Sequence, residues 1–393
     1  MATSTCTTRL APAPPRSILR SLLLTLPILV WSLLMFFHPG LNPDPRSRIA
    51  ATITAIFMTA LFFMMMRTRS TYRWRRCFFV TLGVLFPIGF IYNLVAVRGT
   101  MGIPVEDMIA GRTPFCFIPI PTLILPAAFT GTIVFPGSIV PAGVSGHGIA
   151  AMVGLWLALT LVLGKGWCSY ACFFGGIEEG VAAIPGRARI RKIDPRWRYT
   201  PWAVLLAMIL LTLAMFEPAY CTWLCPFKAV TEYVAAQNMV GLIQNGIFVI
   251  LFVGLVVVLP FLTKKRTQCS FFCPFGAFQS IFNKISIFEM KIDQTRCKPC
   301  LLCQAACPNM SLSKESIARG ETLLSCMKCG ACVEACPRQA IVWHIKGTAI
   351  AHKPELARLM FLYGAWAMAI MFGGSIIAEG LFTLMRLIGG GRA

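Results

Sequence analysis

The sequence predicts an α-helical multi-pass membrane protein of about seven spans, with a small α+β domain inserted ahead of the last span. Two observations carry that expectation: long apolar runs through most of the chain, and a cysteine-rich polar stretch that interrupts them at residues 287–346. Of 393 residues, 57% are hydrophobic and only 13% charged, with a mean hydropathy of +0.72. A soluble domain carries about twice that charged fraction.

In chain order, the apolar runs fall at residues 18–37, 49–66, 77–97, 147–164, 200–216, 242–263 and 357–378, each near the length a helix needs to cross a bilayer. The first follows Arg9, Arg16 and Arg20 and has no small-x-small cleavage site behind it, so it reads as a retained signal anchor. Basic residues gather in short loops beside the runs: Arg67, Arg69, Arg73, Arg75 and Arg76; Arg187, Arg189, Arg191, Lys192, Arg196 and Arg198; Lys264, Lys265 and Arg266. Such loops stay on the cytoplasmic side. The expected topology in the inner (plasma) membrane places residues 67–76, 165–199 and 264–356 inside, and 38–48, 98–146 and 217–241 outside. Membrane lipid is thus one partner. The net charge of +21 follows from this orientation and from anionic lipid. No basic stripe lies on a soluble fold, which argues against nucleic acid.

The chain divides into N-terminal helices (1–100), an outer loop with three further helices (101–286), a polar domain (287–346) and a last helix (347–393). The polar domain holds eight of the seventeen cysteines. Cys297, Cys300, Cys303 and Cys307 are followed by Pro308, and Cys326, Cys329, Cys332 and Cys336 by Pro337. Each run reads C-x2-C-x2-C-x3-C-P, the spacing by which two-cluster ferredoxins hold [4Fe–4S] cubanes. Three closely spaced thiolates wrap three corners of one cube, and the fourth reaches the other cube. One cluster is therefore expected on Cys297, Cys300, Cys303 and Cys336, the second on Cys326, Cys329, Cys332 and Cys307. Structural zinc uses paired cysteines across a longer spacer, and disulfides suit oxidising compartments; neither matches.

Three further pairs share another spacing, C-x3-C, each after an apolar run: Cys168 and Cys172, Cys221 and Cys225, Cys269 and Cys273. Positions i and i+4 project together, so each pair can offer two thiolates to one centre, and two pairs complete a four-thiolate site. At least one further iron–sulfur cluster is expected there. By the loop topology the first and third pairs lie on the inner side and the second outside, with Cys116 a candidate partner for the second. Alternatively, the outer segment dips back as a re-entrant loop, allowed where protein shields its backbone.

With C-x3-C motifs in WCSYAC, YCTWLCPF and CSFFCPFGAFQ, followed by a dicluster run, residues 147–346 resemble the NapH/NosR/CcoG class of membrane polyferredoxins. The first motif departs by having Phe173 where the class has proline. The resemblance implies electron transfer between a quinol or cytoplasmic donor and a membrane or outer-face partner, with redox proteins and quinone as partners. The class also includes maturation factors that supply electrons or reduced metal to a client metalloenzyme. No P-loop, dinucleotide fingerprint or nucleophile motif marks a substrate site of the chain's own. Glu178, Glu179 and Glu217 stand near the cysteine pairs, where carboxylates relay protons or are simply solvated. His38 and His147 fall at expected outer helix ends, and His344 on an alternating stretch that reads as a short strand.

Overall fold

The computed structural model describes residues 14–37, 44–98, 100–103, 118, 121, 149–215, 219–231, 233–234, 238–349 and 353–389. Cys6, Cys116, His38, His147, Glu217, His352 and most of the expected outer segment 98–146 lie outside the described residues. Among the described residues, six helices are long and apolar enough to cross a membrane: Ile18–Phe36, Pro45–Thr68, Tyr72–Ala96, Pro195–Met215, Met239–Thr263 and Pro354–Ile388. A seventh candidate is broken, Gly154–Tyr170 and Phe173–Val181 meeting at a 42° bend. The break is the first C-x3-C pair.

Local chemistry sets the ends of these helices. Ser17 caps the first, its hydroxyl accepting from Arg20 N at 3.3 Å. Asp44 caps the second by accepting from Arg46 N at 2.8 Å, with Pro45 in the first helical position, where its missing N–H has no intrahelical partner to lose. Arg69, left-handed at φ 56°, ends that helix. The outward faces are apolar, with Leu19 69% and Ile56 65% exposed. Large apolar side chains turned outward on long helices are what a lipid-facing surface requires.

The chain forms two compact units: residues 1–89, 159–180 and 282–393, and residues 90–158 and 181–281. In the first, Trp366 is fully buried and donates to Met58 O at 3.1 Å, joining the last helix to the second. Residues 288–345 carry an antiparallel pair of strands, Phe288–Ile292 and Ile341–Ile345, in the register Phe288↔Ile345 to Ile292↔Ile341. His344 lies on the second strand, its ring 3.1 Å from Glu289 Oε1. Trp343 and Phe288 pack on Phe361 of the last helix, with centroids 4.6 and 5.5 Å away. This strand pair thereby rests directly on a membrane helix.

In the second unit, Trp156 packs against Phe275 and Phe278, and Thr200 Oγ1 donates to Phe271 O at 2.5 Å. A two-residue parallel pairing joins Gly102–Ile103 to Tyr233–Val234.

In the first unit the helix Tyr72–Arg98 meets Phe173–Val181 backbone to backbone. A Cβ at Gly83 would lie 2.4 Å from Gly176 C and Ile177 N, and one at Gly176 would lie 2.3 Å from Phe79 O. Backbone cannot step aside as a side chain can. Gly83→Ala is therefore expected to lower stability by about 1–3 kcal/mol, seen as a fall in melting temperature in detergent. Gly246→Ala, whose Cβ meets nothing within 4 Å, serves as the control and should melt no lower than wild type.

Candidate functional site

The two cysteine runs fold as near copies. Leu301 and Gly330, each directly after the second cysteine of its run, are both left-handed, at φ 60° and 85°. That turn starts matching short helices, Leu302–Ala306 and Ala331–Ala335. Met310 and Gln339, three residues past the last cysteine of each run, are left-handed as well, at φ 49° and 51°. Glycine adopts such angles freely, whereas a residue with a Cβ does so at a cost.

Each cavity in this domain is walled by both runs. One is lined by Cys297, Cys300, Cys303 and Cys336. The other is lined by Cys307, Cys326, Cys329 and Cys332. Among the described residues, all fifteen cysteines are free thiols. The first four are half-buried, whereas Cys307, Cys329 and Cys332 are buried.

The donor chemistry fits a cationic cluster. Burial pushes the Cys303 thiol up to about 12, and the neighbouring sulfur of Cys336 adds to the effect. Cys329 rises to about 11 through burial, against the pull of the Arg75 guanidinium. Buried neighbouring thiols ionise more readily when positive charge joins them, and iron would supply it. Backbone N–H groups already point at sulfur: Ser311 N lies 3.2 Å from Cys307 Sγ and Ala340 N lies 3.4 Å from Cys336 Sγ. Hydrogen bonds of this kind tune the potential of a cluster.

Asn283 and Lys328, which the sequence reading did not single out, anchor the second run. Asn283 Nδ2 donates to Leu324 O and Cys326 O at 2.7 and 2.8 Å. Its Oδ1 accepts from Lys165 N at 3.0 Å and Lys328 Nζ at 2.7 Å. Lys328, left-handed at φ 53°, also donates to Leu163 O at 2.9 Å and Ser286 Oγ at 3.0 Å, and burial lowers its amino group to about 7. Gly164, φ 59°, leaves room for this knot: a Cβ there would lie 2.3 Å from Asn283 Oδ1 and 2.5 Å from Lys328 Nζ. No local sequence signal marks these partners, which are 42 to 165 residues from Lys328.

The C-x3-C pairs share one construction. A short helical turn ends between the two cysteines, and a new helix starts directly after the second: Trp167–Tyr170 then Phe173–Val181, Tyr220–Leu224 then Pro226–Val230, Thr267–Phe271 then Pro274–Ile281. The second cysteine is therefore the cap, and Cys273 Sγ accepts from Gly276 N at 3.3 Å. Proline suits the next position, the first of a helix, and Phe173 occupies the same place.

In the first unit, the Cys168–Cys172 loop is held by Arg75, which donates to Ser169 O at 2.9 Å and pairs with buried Glu179. Glu178 is buried too. Neither carboxylate is solvated as a helix-end residue would be.

In the second unit the other two pairs converge. Tyr220 is fully buried, and burial together with Cys225, Cys273 and Cys221 holds its hydroxyl well above the ordinary range. The hydroxyl accepts from Gln268 Nε2 at 2.9 Å. Loop alternation placed these pairs on opposite sides of the bilayer, with a re-entrant outer segment as the alternative; the structure brings them together, both segments folding back along the helix Met239–Thr263. Gln244 Nε2 donates to Thr222 O at 3.3 Å, and Thr267 Oγ1 donates to Leu255 O at 2.5 Å. Leu255 lies in a π-helical stretch, Phe252–Val258, whose wider turns free carbonyls for outside donors.

A family model described as a 4Fe-4S dicluster domain matches residues 289–337. A second, a 4Fe-4S binding domain, matches three times, over residues 144–192, 200–241 and 245–293, once per C-x3-C pair. Similar proteins include an uncharacterized protein of Methanocaldococcus jannaschii, 28% identical over 51% of this chain and 79% of its own. The putative electron transport protein YccM of Escherichia coli is 24% identical over 58% of this chain and 64% of its own. The ferredoxin-type protein NapH of Haemophilus influenzae is 26% identical over 48% and 64%. The chain thus covers just under two thirds of YccM and NapH. No solved structure matches.

Asn283→Ala removes all four hydrogen bonds of that side chain and strands two carbonyls. It is expected to destabilise the dicluster domain by about 1–3 kcal/mol, measured as a lower temperature for loss of the visible iron–sulfur absorbance.

Proposed function

We propose that this membrane iron–sulfur protein is a one-electron relay running from the exposed face of the dicluster domain into the membrane helices. The observation that carries the reading is the pair of four-cysteine cavities, each walled by three thiols of one run and one of the other. Similarity to electron-transport and ferredoxin-type proteins supports the role. Cys297, Cys300, Cys303 and Cys336 would hold one [4Fe–4S] cluster, and Cys326, Cys329, Cys332 and Cys307 the second, within an α+β domain at residues 287–346. When bound, such clusters accept and release single electrons. The protein's part is to bury the thiols, aim N–H groups at them and hold the two loops at different depths.

Cys221, Cys225, Cys269 and Cys273 are the proposed ligands of a further cluster, supported by the gathering of three of them about Tyr220. Cys168 and Cys172 stand on a loop tied to Arg75, the same residue that acts on Cys329, and we assign them to the continuation of the path. The domain is proposed to face the cytoplasm from the inner membrane, as its basic loops require. The donor is a redox protein or quinol, and the acceptor a membrane or outer-face partner.

Iron content tests the ligands. Anaerobically purified protein should hold about eight irons on the dicluster residues and about four more on the membrane pairs. Cys300→Ala should remove one reduced-state EPR signal and leave its neighbour; unchanged spectra would refute the assignment. Cys221→Ser with Cys225→Ser should lose about four irons and stop reoxidation by membrane acceptors, while dithionite still reduces the dicluster domain rapidly. Full reoxidation rates would make the second pair structural.

The side of the membrane is tested separately. A reporter active only in the periplasm, fused after Lys346, should be silent. Activity there would put the domain on the outer face.

A further inference from the structure

The first unit contains a larger cavity, about 480 Å³, between the dicluster loops and the ends of two membrane helices, within the size range of small-molecule sites. Its charged lining is Arg69, Arg296 and Arg358 with Glu334 and Glu355, and Cys336 borders it. Both carboxylates are engaged. Glu334 Oε1 accepts from Ser70 Oγ at 2.9 Å and Tyr72 N at 2.5 Å. Glu355 pairs with Arg16 and stands 3.6 Å from Arg358 Nη1.

The arginines retain donors. Arg358 is 4% exposed; its Nε donates to Thr71 Oγ1 at 2.9 Å and its Nη2 to Met65 O at 3.0 Å. Its Nη1 is buried without a hydrogen-bond partner, as is Arg69 Nε. Arg296 pairs with Asp293 at 3.3 Å. Guanidinium donors left without a hydrogen bond in a cavity wall call for an anion.

We infer that this cavity is a binding site for a phosphate group, carried by an anionic phospholipid headgroup or by a soluble phosphate ester. Phosphate offers oxygens on several sides, so it can satisfy guanidinium donors from separate helices, as a single carboxylate cannot. Basic pockets at the ends of membrane helices bind lipid phosphates in this manner. The inference rests on the cavity wall alone and stands apart from the cluster assignments.

The test uses full-length, iron-loaded protein in zwitterionic detergent, probed with cardiolipin, phosphatidylcholine and ATP by native mass spectrometry and equilibrium binding. Cardiolipin is expected to be retained over phosphatidylcholine. Arg69→Gln should weaken it roughly tenfold or more, the loss of one charge-assisted hydrogen bond, with iron content unchanged. Arg358→Gln should do the same, and Arg191→Gln, an exposed position outside the cavity, should bind as wild type. Binding of ATP in place of cardiolipin, with the same dependence on Arg69, would support the phosphate site and identify a soluble source. Binding of neither probe above phosphatidylcholine, or equal binding by Arg69→Gln, would overturn it.

Discussion

Burying sulfur is the constraint on which the rest of this structure depends. A thiolate in a low-dielectric cavity is costly, and four facing one another are costlier, which is why burial and mutual repulsion raise Cys303 and Cys329 so far. The chain answers with backbone dipoles. Left-handed turns at Leu301 and Gly330 reverse direction tightly enough to bring the third cysteine of each run round, and N–H groups after the fourth point at its sulfur. A bound iron–sulfur cluster would supply the rest of the compensating charge. The backbone of the dicluster domain thus follows from one electrostatic requirement.

The same requirement recurs beside the membrane helices, where it meets a second one. Backbone that leaves the helix must be shielded and satisfied by protein. Each C-x3-C pair breaks a helical path and restarts it at once, so few peptide groups are left without partners. The remaining gaps are closed by long-range bonds, from Arg75 to Ser169 O, from Gln244 to Thr222 O and from Thr267 to Leu255 O. The buried Arg75–Glu179 pair lies in this network. Removing one partner would leave the other charge uncompensated, a larger loss than the pair itself contributes.

How much was legible in the sequence follows from the range of each interaction. The two four-cysteine runs are local patterns, and their 4Fe-4S character was readable from spacing. Six of the expected spans were legible as apolar runs, but the break at Cys168–Cys172 was not, since its cause is the pair itself and its support from Arg75, 94 residues away. The convergence of the second and third pairs was legible only as the alternative of a re-entrant outer segment. Charge in loops reports which way a chain enters the bilayer, and says nothing of a segment that folds back along a π-helical stretch. Asn283 and Lys328 carry no motif at all.

Lys328 also breaks the likeness of the two cysteine runs. Its counterpart in the first run, two residues past the first cysteine, is Pro299, which has no amino group to bond and a φ held near −65°. Only the second run can therefore take the left-handed turn that carries an ammonium to Leu163, Asn283 and Ser286. That run is tied to the end of a membrane helix and buries Cys329 and Cys332, while Cys297, Cys300 and Cys303 of the first stay half-buried with Lys298 and Leu302 exposed beside them. Lys328 thus gives the second run an anchor for which the first has no counterpart. For the proposed relay, the run without that anchor is the side a donor would approach.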